Sequence, residues 1–244
     1  MPLKKVVLFI VEGETDELAL GASLNRLFAA DASSEVKFEI FRGDLITNRD
    51  NGRGCAPNDV KTRVRDQARQ YLAKQKYKWS DLDTVVYLTD TDGAFVDASS
   101  VVENDKLRHV VYYLDRIETP HATSIVARND NKAACLKILS RNGYLTFSKQ
   151  RVKFMACYMS RNLEHALSDY SGEATPSQKQ DLSRAFSAKF RRDPHGFSEF
   201  INCIAPEGSY SDSWDFIAQG IHSLERGSNL SQVVGRLKGE PYRD

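Results

Sequence analysis

The chain has 244 residues, 41% of them hydrophobic and 27% charged, which excludes a disordered or fibrous protein and leaves ample length for a buried core. Lys plus Arg number 34 against 33 Asp plus Glu, a formal net charge of +1. This balance excludes no partner class, because nucleic-acid enzymes need a local basic face and not a basic average; stretches 149–153 and 189–192 are candidates for one. Cys55, Cys135, Cys157 and Cys203 form neither a C-x-x-C pair nor a zinc spacing, so a disulfide framework is not expected and a reducing cytoplasm is. The apolar run 6–11 is too short for a signal peptide and stops at Glu12, and no stretch approaches a membrane span.

In chain order, 5–11 reads as a strand, and 16–29 as a helix through Leu18, Leu20, Leu24 and Leu27. Residues 36–41 alternate like a half-buried strand and end at Arg42-Gly43-Asp44. The stretch 48–58, with Gly52, Gly54 and Pro57, reads as a loop; Asn58 or Asp59 is expected to cap a helix over 60–76. A strand is expected over 84–89, a weakly marked helix over 106–113 and a strand over 124–127. A further helix is then expected from Asp130 or Asn131 to Leu139, closed by Asn142-Gly143. A last strand spans 152–159. From 162 the pattern is helical: 162–169, 176–190 with Ser177 near its start, 197–204 and 213–224. Strands alternating with helices predict an α/β fold, a Rossmann-like, mostly parallel sheet flanked by helices. The expected division is an α/β domain over 1–160 and a C-terminal helical subdomain over 161–244 packed on it.

Two apolar runs stop at carboxylates: 6–11 before Glu12-Gly13, and 85–89 before Asp90-Thr91-Asp92-Gly93. The C-terminal ends of parallel strands lie along one edge, so Glu12, Asp90 and Asp92 are expected to converge there. In a continuing strand Asp90 and Asp92 would also share a face. Clustered carboxylates repel and raise one another's pKa. A hard divalent cation, Mg²⁺ or Mn²⁺, relieves that repulsion and suits a phosphate substrate.

An apolar strand ending in Glu12-Gly13, a second strand followed by Gly43, and a later strand ending in Asp90-x-Asp92 together resemble the Toprim domain. That domain is shared by topoisomerases, bacterial primases, recombination proteins and the overcoming-lysogenization-defect (OLD) nucleases. The resemblance covers about residues 5–139. The form Val-Glu-Gly-Glu-Thr-Asp-Glu at 11–17 is similar to the OLD-type and small stand-alone Toprim nucleases, in which an acid one helical turn later joins the metal site; Asp16 matches it. The resemblance implies a Toprim fold and a metal-dependent endonuclease acting on DNA or RNA, of the kind that often serves bacterial defence against phage.

Each residue also has a plainer reading. Asp90-Thr91-Asp92-Gly93 could be a simple turn, and Asp16, like Glu14 and Glu17, sits where the helix dipole favours acids. Gly13 is expected to supply the turn that brings backbone near metal or phosphate. Arg42, Gly43 and Asp44 follow the second strand and are expected on the active edge, where Arg42 could meet phosphate or simply be exposed. Lys132, expected at a helix start on the active edge, could stabilise charge on a scissile phosphate, with Arg128 a lesser candidate. Glu164 and His165 could add a ligand or base, or be structural, and Asn162 is expected to cap a helix. Tyr210, Trp214 and Phe216 read as core, with base stacking as the other use.

The leading expectation is thus a cytoplasmic Mg²⁺- or Mn²⁺-dependent nuclease, with Glu12, Asp16, Asp90 and Asp92 on the metal and Lys132 as electrostatic helper. Its partner is nucleic acid, with no membrane involved. No G-x-x-x-x-G-K-[ST] loop occurs, so any nucleotide-driven control requires a separate regulatory ATPase or sensor protein. A topoisomerase or primase role is not expected, since these residues show neither a catalytic-tyrosine domain nor zinc-binding and accessory regions. The alternative from another class is a non-catalytic or partner-regulated Toprim-fold protein that binds metal or nucleic acid.

Overall fold

The computed structural model describes residues 5–29, 34–47, 54–141 and 143–239. Strands β1 (Lys5–Val11), β2 (Ser34–Ile40) and β3 (Leu82–Asp90) alternate with helices α1 (Glu14–Phe28) and α2 (Val60–Gln75). With β7 (Gly143–Phe147) and β8 (Gln150–Met159) they form a five-stranded sheet of order β2-β1-β3-β8-β7. The first four strands in that order are mutually parallel, and β7 closes one edge antiparallel to β8. The fold is therefore α/β with a mostly parallel sheet flanked by helices.

From Val6 to Val11 every residue of β1 is buried, and β3 is buried over most of its length. Strands covered on both faces need no polar alternation, which is why these read as continuous apolar runs. Register then sets the site. Val11 lies opposite Ile40, and Asp90 opposite Met159, so the chain leaves β1, β2, β3 and β8 on one edge.

A small second sheet joins β4 (Val101–Glu103), β5 (Val111–Tyr112) and β6 (Ile117–Thr119) in the order β4-β6-β5. It is followed by the long helix α3 (Ala122–Leu139). The rest is helical: α4 (Leu163–Ser168), α5 (Pro176–Phe190), α6 (Pro194–Cys203), α7 (Tyr210–Ile217) and α8 (Leu230–Lys238). One cluster of buried apolar side chains runs from Val6 and Phe9 in the sheet through Phe186, Phe197 and Trp214 to Val234. Tyr210 and Trp214 belong to it, as expected, while Phe216 stacks on His222 nearer the surface. The cysteines are all free.

Several expected elements differ. Residues 124–127 are not a strand but the first turns of α3, so that helix starts at Ala122 and not at Asp130. Ile125 and Val126 pack with Ala122 against the buried Val96, Val101, Ile117 and Leu224, and this packing overrides their strand preference. Residues 106–113 are not helical; Val111 and Tyr112 pair with Ile117 and Glu118. Helix α3 ends at Leu139 as expected, but with Ser140 as its C-cap; Gly143 opens a strand, and Asn142 lies outside the described residues. Asp59 occupies the N-cap of α2 without a side-chain capping bond, following a short 3₁₀ turn over Pro57–Asp59. The cap of α5 is Thr175, whose hydroxyl accepts from the Gln178 amide, with Pro176 in the first turn and Ser177 behind it. The expected helix over 213–224 is α7 plus a 3₁₀ turn, and α8 was not anticipated. Of the expected loop 48–58, residues 48–53 lie outside the described residues.

Candidate functional site

Where β1 ends, Glu12 leaves the sheet and α1 begins at Glu14. The buried Asp16 carboxylate turns back through Oδ2 to accept the amides of Glu12 at 3.0 Å and Gly13 at 2.9 Å. It thereby satisfies backbone donors at the helix start. Glu14 and Glu17 are exposed first-turn acids, as the helix-dipole reading had them. Gly13 has an extended backbone (φ −146°), and a Cβ there would find only an ordinary contact with Thr15 Oγ1 at 3.4 Å. Gly13 stands at the turn, but the turn does not draw on glycine's conformational freedom.

Glu12 is half-buried and fixed from β3: its Oε1 accepts the Thr89 hydroxyl at 2.6 Å and the Tyr87 hydroxyl at 3.3 Å. Asp90 is the last residue of β3. The strand does not continue to Asp92, which sits in a turn with φ 49°, so strand alternation is not what brings these two acids together. The turn is locked onto the end of β8: the Asp92 amide donates to the Arg161 carbonyl at 2.9 Å, and the Arg161 amide to Thr91 Oγ1 at 2.8 Å. Gly93 (φ 65°) is needed there, since a Cβ would come within 2.7 Å of Leu224 and 2.9 Å of Ile117.

Lys132 reaches this edge from the middle of α3, not from its start. Its side chain is fully buried, and Nζ donates to Asp92 Oδ2 at 2.6 Å and to Asp44 Oδ2 at 2.8 Å. Asp44, just beyond β2, was placed on the active edge from sequence but given no role; it is a site carboxylate. It also caps its own turn, accepting from the Ile46 amide and the Thr47 hydroxyl at 2.7 Å each. Its position beyond a strand end was the signal available.

Electrostatics follow from this geometry. Burial lifts the Glu12 pKa well above the ordinary carboxylate value, and Asp44 and Asp92 reinforce it. Asp90 rises likewise through burial and then through Glu12, Asp92 and Asp16. Among the described residues its carboxylate has neither hydrogen bond nor ion pair. Burial, with Glu164 adding to it, takes Asp16 to about 6 against the pull of the Gly13 amide. For Asp44 burial acts upward, but Lys132 and the hydrogen bonds outweigh it and lower the pKa. Burial acts to lower the Lys132 pKa, and Asp92, Asp44 and Glu12 together carry it well above the usual lysine value. Glu12, Asp44, Asp90 and Asp92 thus share one buried ammonium.

The other candidates separate from this cluster. Arg42 is exposed (82%) and pairs with Glu14 at 3.3 Å. His165 is buried with Nδ1 3.4 Å from the Ser160 carbonyl; burial, then Arg161, holds its pKa below the ordinary value. Asn162 caps α4 as expected, its side chain accepting from the His165 amide at 2.9 Å. Glu164 is buried 3.5 Å from Lys179 and stays within electrostatic reach of Asp16. Arg128 donates to the Asp92 carbonyl at 3.1 Å and to the Tyr112 hydroxyl, so it supports the turn.

Among the described residues no three His, Cys, Asp or Glu side chains stand together as a ready-made metal site. The expected set of Glu12, Asp16, Asp90 and Asp92 is not preassembled, because Asp16 faces backbone amides and Asp92 faces Lys132. The donors still fit a hard cation. Mg²⁺ is commonly held by one or two carboxylates plus substrate phosphate, and Glu12 and Asp90 stand at the ends of neighbouring strands with no ion pair among the described residues. Compared with protein-family models, curated proteins and solved structures, the chain matches none.

Proposed function

We propose that the chain is a Mg²⁺- or Mn²⁺-dependent nuclease of Toprim type that hydrolyses phosphodiester bonds in DNA or RNA, with bacterial phage defence as its setting. The observation that carries this reading is the Glu12–Asp90 pair. Two carboxylates at the ends of neighbouring strands, both with raised pKa and Asp90 without hydrogen bond or ion pair among the described residues, are a costly arrangement that a divalent cation would relieve.

Glu12 and Asp90 would hold the metal, with Asp92 next in reach and Asp16 orienting the Glu12 backbone. A metal there would supply an activated water and neutralise charge on the scissile phosphate. The Thr89 and Tyr87 hydroxyls aim the Glu12 carboxylate. Lys132 keeps a permanent positive charge against Asp44 and Asp92, beside the position where phosphate charge would develop.

One observation favours a second reading. Lys132 already neutralises two of the four carboxylates, as in a protein that binds nucleic acid or a partner without cutting. Incubating the purified protein with labelled DNA and RNA in Mg²⁺, Mn²⁺ or EDTA separates the two. Cleavage that needs a metal and vanishes in Asp90→Asn and Glu12→Gln supports the nuclease. Binding without cleavage in either metal, or full cleavage by the Asp90→Asn/Glu12→Gln double variant, refutes it.

A further inference from the structure

Beside the acidic edge lies a cavity of about 390 Å³ whose walls include Val111, Tyr112, Arg161, Asn162, Gly172 and Lys179. Arg161 is 2% exposed. Its two terminal nitrogens donate to the Tyr112 carbonyl at 3.2 Å and the Tyr170 carbonyl at 3.3 Å, while Nε has no partner among the described residues. Carbonyls take up protons of the fork without cancelling its charge. Among the described residues no carboxylate pairs with this guanidinium; the Tyr112 ring, 5.9 Å away, and His165 are its other electrostatic neighbours. A buried, uncompensated cation is expensive, and the guanidinium fork matches phosphate oxygens.

A second cation stands on the same wall. Lys179 Nζ lies 3.5 Å from Glu164 and within electrostatic reach of Asp90 and Asp16, which places it between the cavity and the acidic edge. The carboxylate on the cavity rim, Glu173, is 66% exposed and turned to His109 at 2.8 Å. The cavity also shares a backbone seam with the acidic edge, because the Asp92 amide donates to the Arg161 carbonyl.

We propose that this cavity binds a phosphate of the nucleic-acid strand, one that flanks the phosphate to be cut. The inference rests on the nuclease reading and deepens it: the acidic edge takes the scissile phosphate through metal, and the Arg161 cavity holds the strand without metal. Arg161 is then a binding residue that fixes register.

Binding measured without cleavage keeps the two ideas apart. Fluorescence anisotropy of end-labelled single-stranded DNA and RNA oligonucleotides in EDTA is compared for the wild type, Arg161→Gln and Ala174→Glu. The second variant sets a carboxylate at the cavity and leaves Arg161 in place. Both variants should bind roughly tenfold or more weakly, and Arg161→Gln should flatten the salt dependence by about one phosphate contact. Circular dichroism checks folding; if Arg161→Gln does not fold, Ala174→Glu decides. Wild-type-like binding by the folded variants, or no oligonucleotide binding by the wild type, overturns the proposal. Inorganic phosphate binding as tightly as the oligonucleotide also overturns it, since the cavity would then serve a free anion. Metal-dependent cleavage by the wild type, assayed in parallel, reports on the nuclease reading separately.

Discussion

Lys132 Nζ lies 2.6 Å from the Asp92 carboxylate, across 40 positions of sequence. The contact ties the middle of α3 to the turn that follows β3, and a second bond to Asp44 brings in the end of β2. Three segments of the acidic edge therefore depend on one buried ammonium.

Lys132→Met should destabilise the protein by about 3 kcal/mol, the lower end of what removing one partner of a buried ion pair costs, because Asp92 keeps 28% exposure. Urea unfolding at neutral pH measures it. A midpoint unchanged from the wild type would show that the pairs contribute nothing to the folded state.

Asp90→Asn should act in the opposite direction on stability. Without metal it removes like-charge repulsion with Glu12 and Asp92. A gain of about 1 kcal/mol corresponds to a melting temperature higher by about 2–4 °C at this chain length. In EDTA the variant should melt above the wild type, and added Mg²⁺ or Mn²⁺ should raise the wild type but not the variant. A lower melting temperature in EDTA would contradict the repulsion described.

The pH dependence carries a definite sign. The Asp16 carboxyl keeps its proton to about pH 6 in the folded chain, against an ordinary value of 3.8. Between those values the unfolded chain has released a proton that the folded chain still holds. Stability therefore falls as pH rises from about 4 to about 6, then levels for this group. The full difference is about 2–3 kcal/mol. Glu12 and Asp90, also raised, add to the decline, whereas His165, held below its ordinary value, opposes it. Asp44 acts below about pH 4, where its contribution is lost as pH falls. Subtracting the unfolding curves of Asp16→Asn from those of the wild type at pH 4, 5, 6 and 7 in EDTA isolates the Asp16 part. A wild-type stability advantage that grows with pH across this range would reverse the assignment.

Gly93→Ala tests the turn itself. A methyl group would stand 2.7 Å from Leu224 Cδ2 and 2.9 Å from Ile117 Cδ1, on a backbone at φ 65°. Overpacking and strain together should cost about 1–3 kcal/mol. The displaced Asp92 should also lower metal-dependent cleavage. Guanidinium unfolding and the nuclease assay read the two effects independently.

The central strands were legible in the chain because they are covered on both faces, whereas the half-exposed edge strand β7 was not expected. The runs at β1, β3 and β8 carry the apolar signal without interruption, and each ends at a polar residue that marks the edge. The small sheet and the start of α3 were not legible. Ile125-Val126 is strand-like locally and becomes helical only through packing on Ile117 and Leu224. Asp44 was placed at the edge from sequence, but nothing in Arg-Gly-Asp at 42–44 foretells a lysine 88 positions later.

By itself, the sequence determined that carboxylates terminate parallel strands: apolar periodicity and the position of the first acid after each run are local properties. The tertiary structure decided how those acids are used. It gave Asp16 to the helix-start amides, joined Asp44 and Asp92 through Lys132, and left Glu12 beside an unpartnered Asp90. It also set Arg161, with no carboxylate partner among the described residues, behind the same edge. Pairing, desolvation and repulsion depend on distances of a few ångströms between distant segments, and those distances exist only in the folded chain.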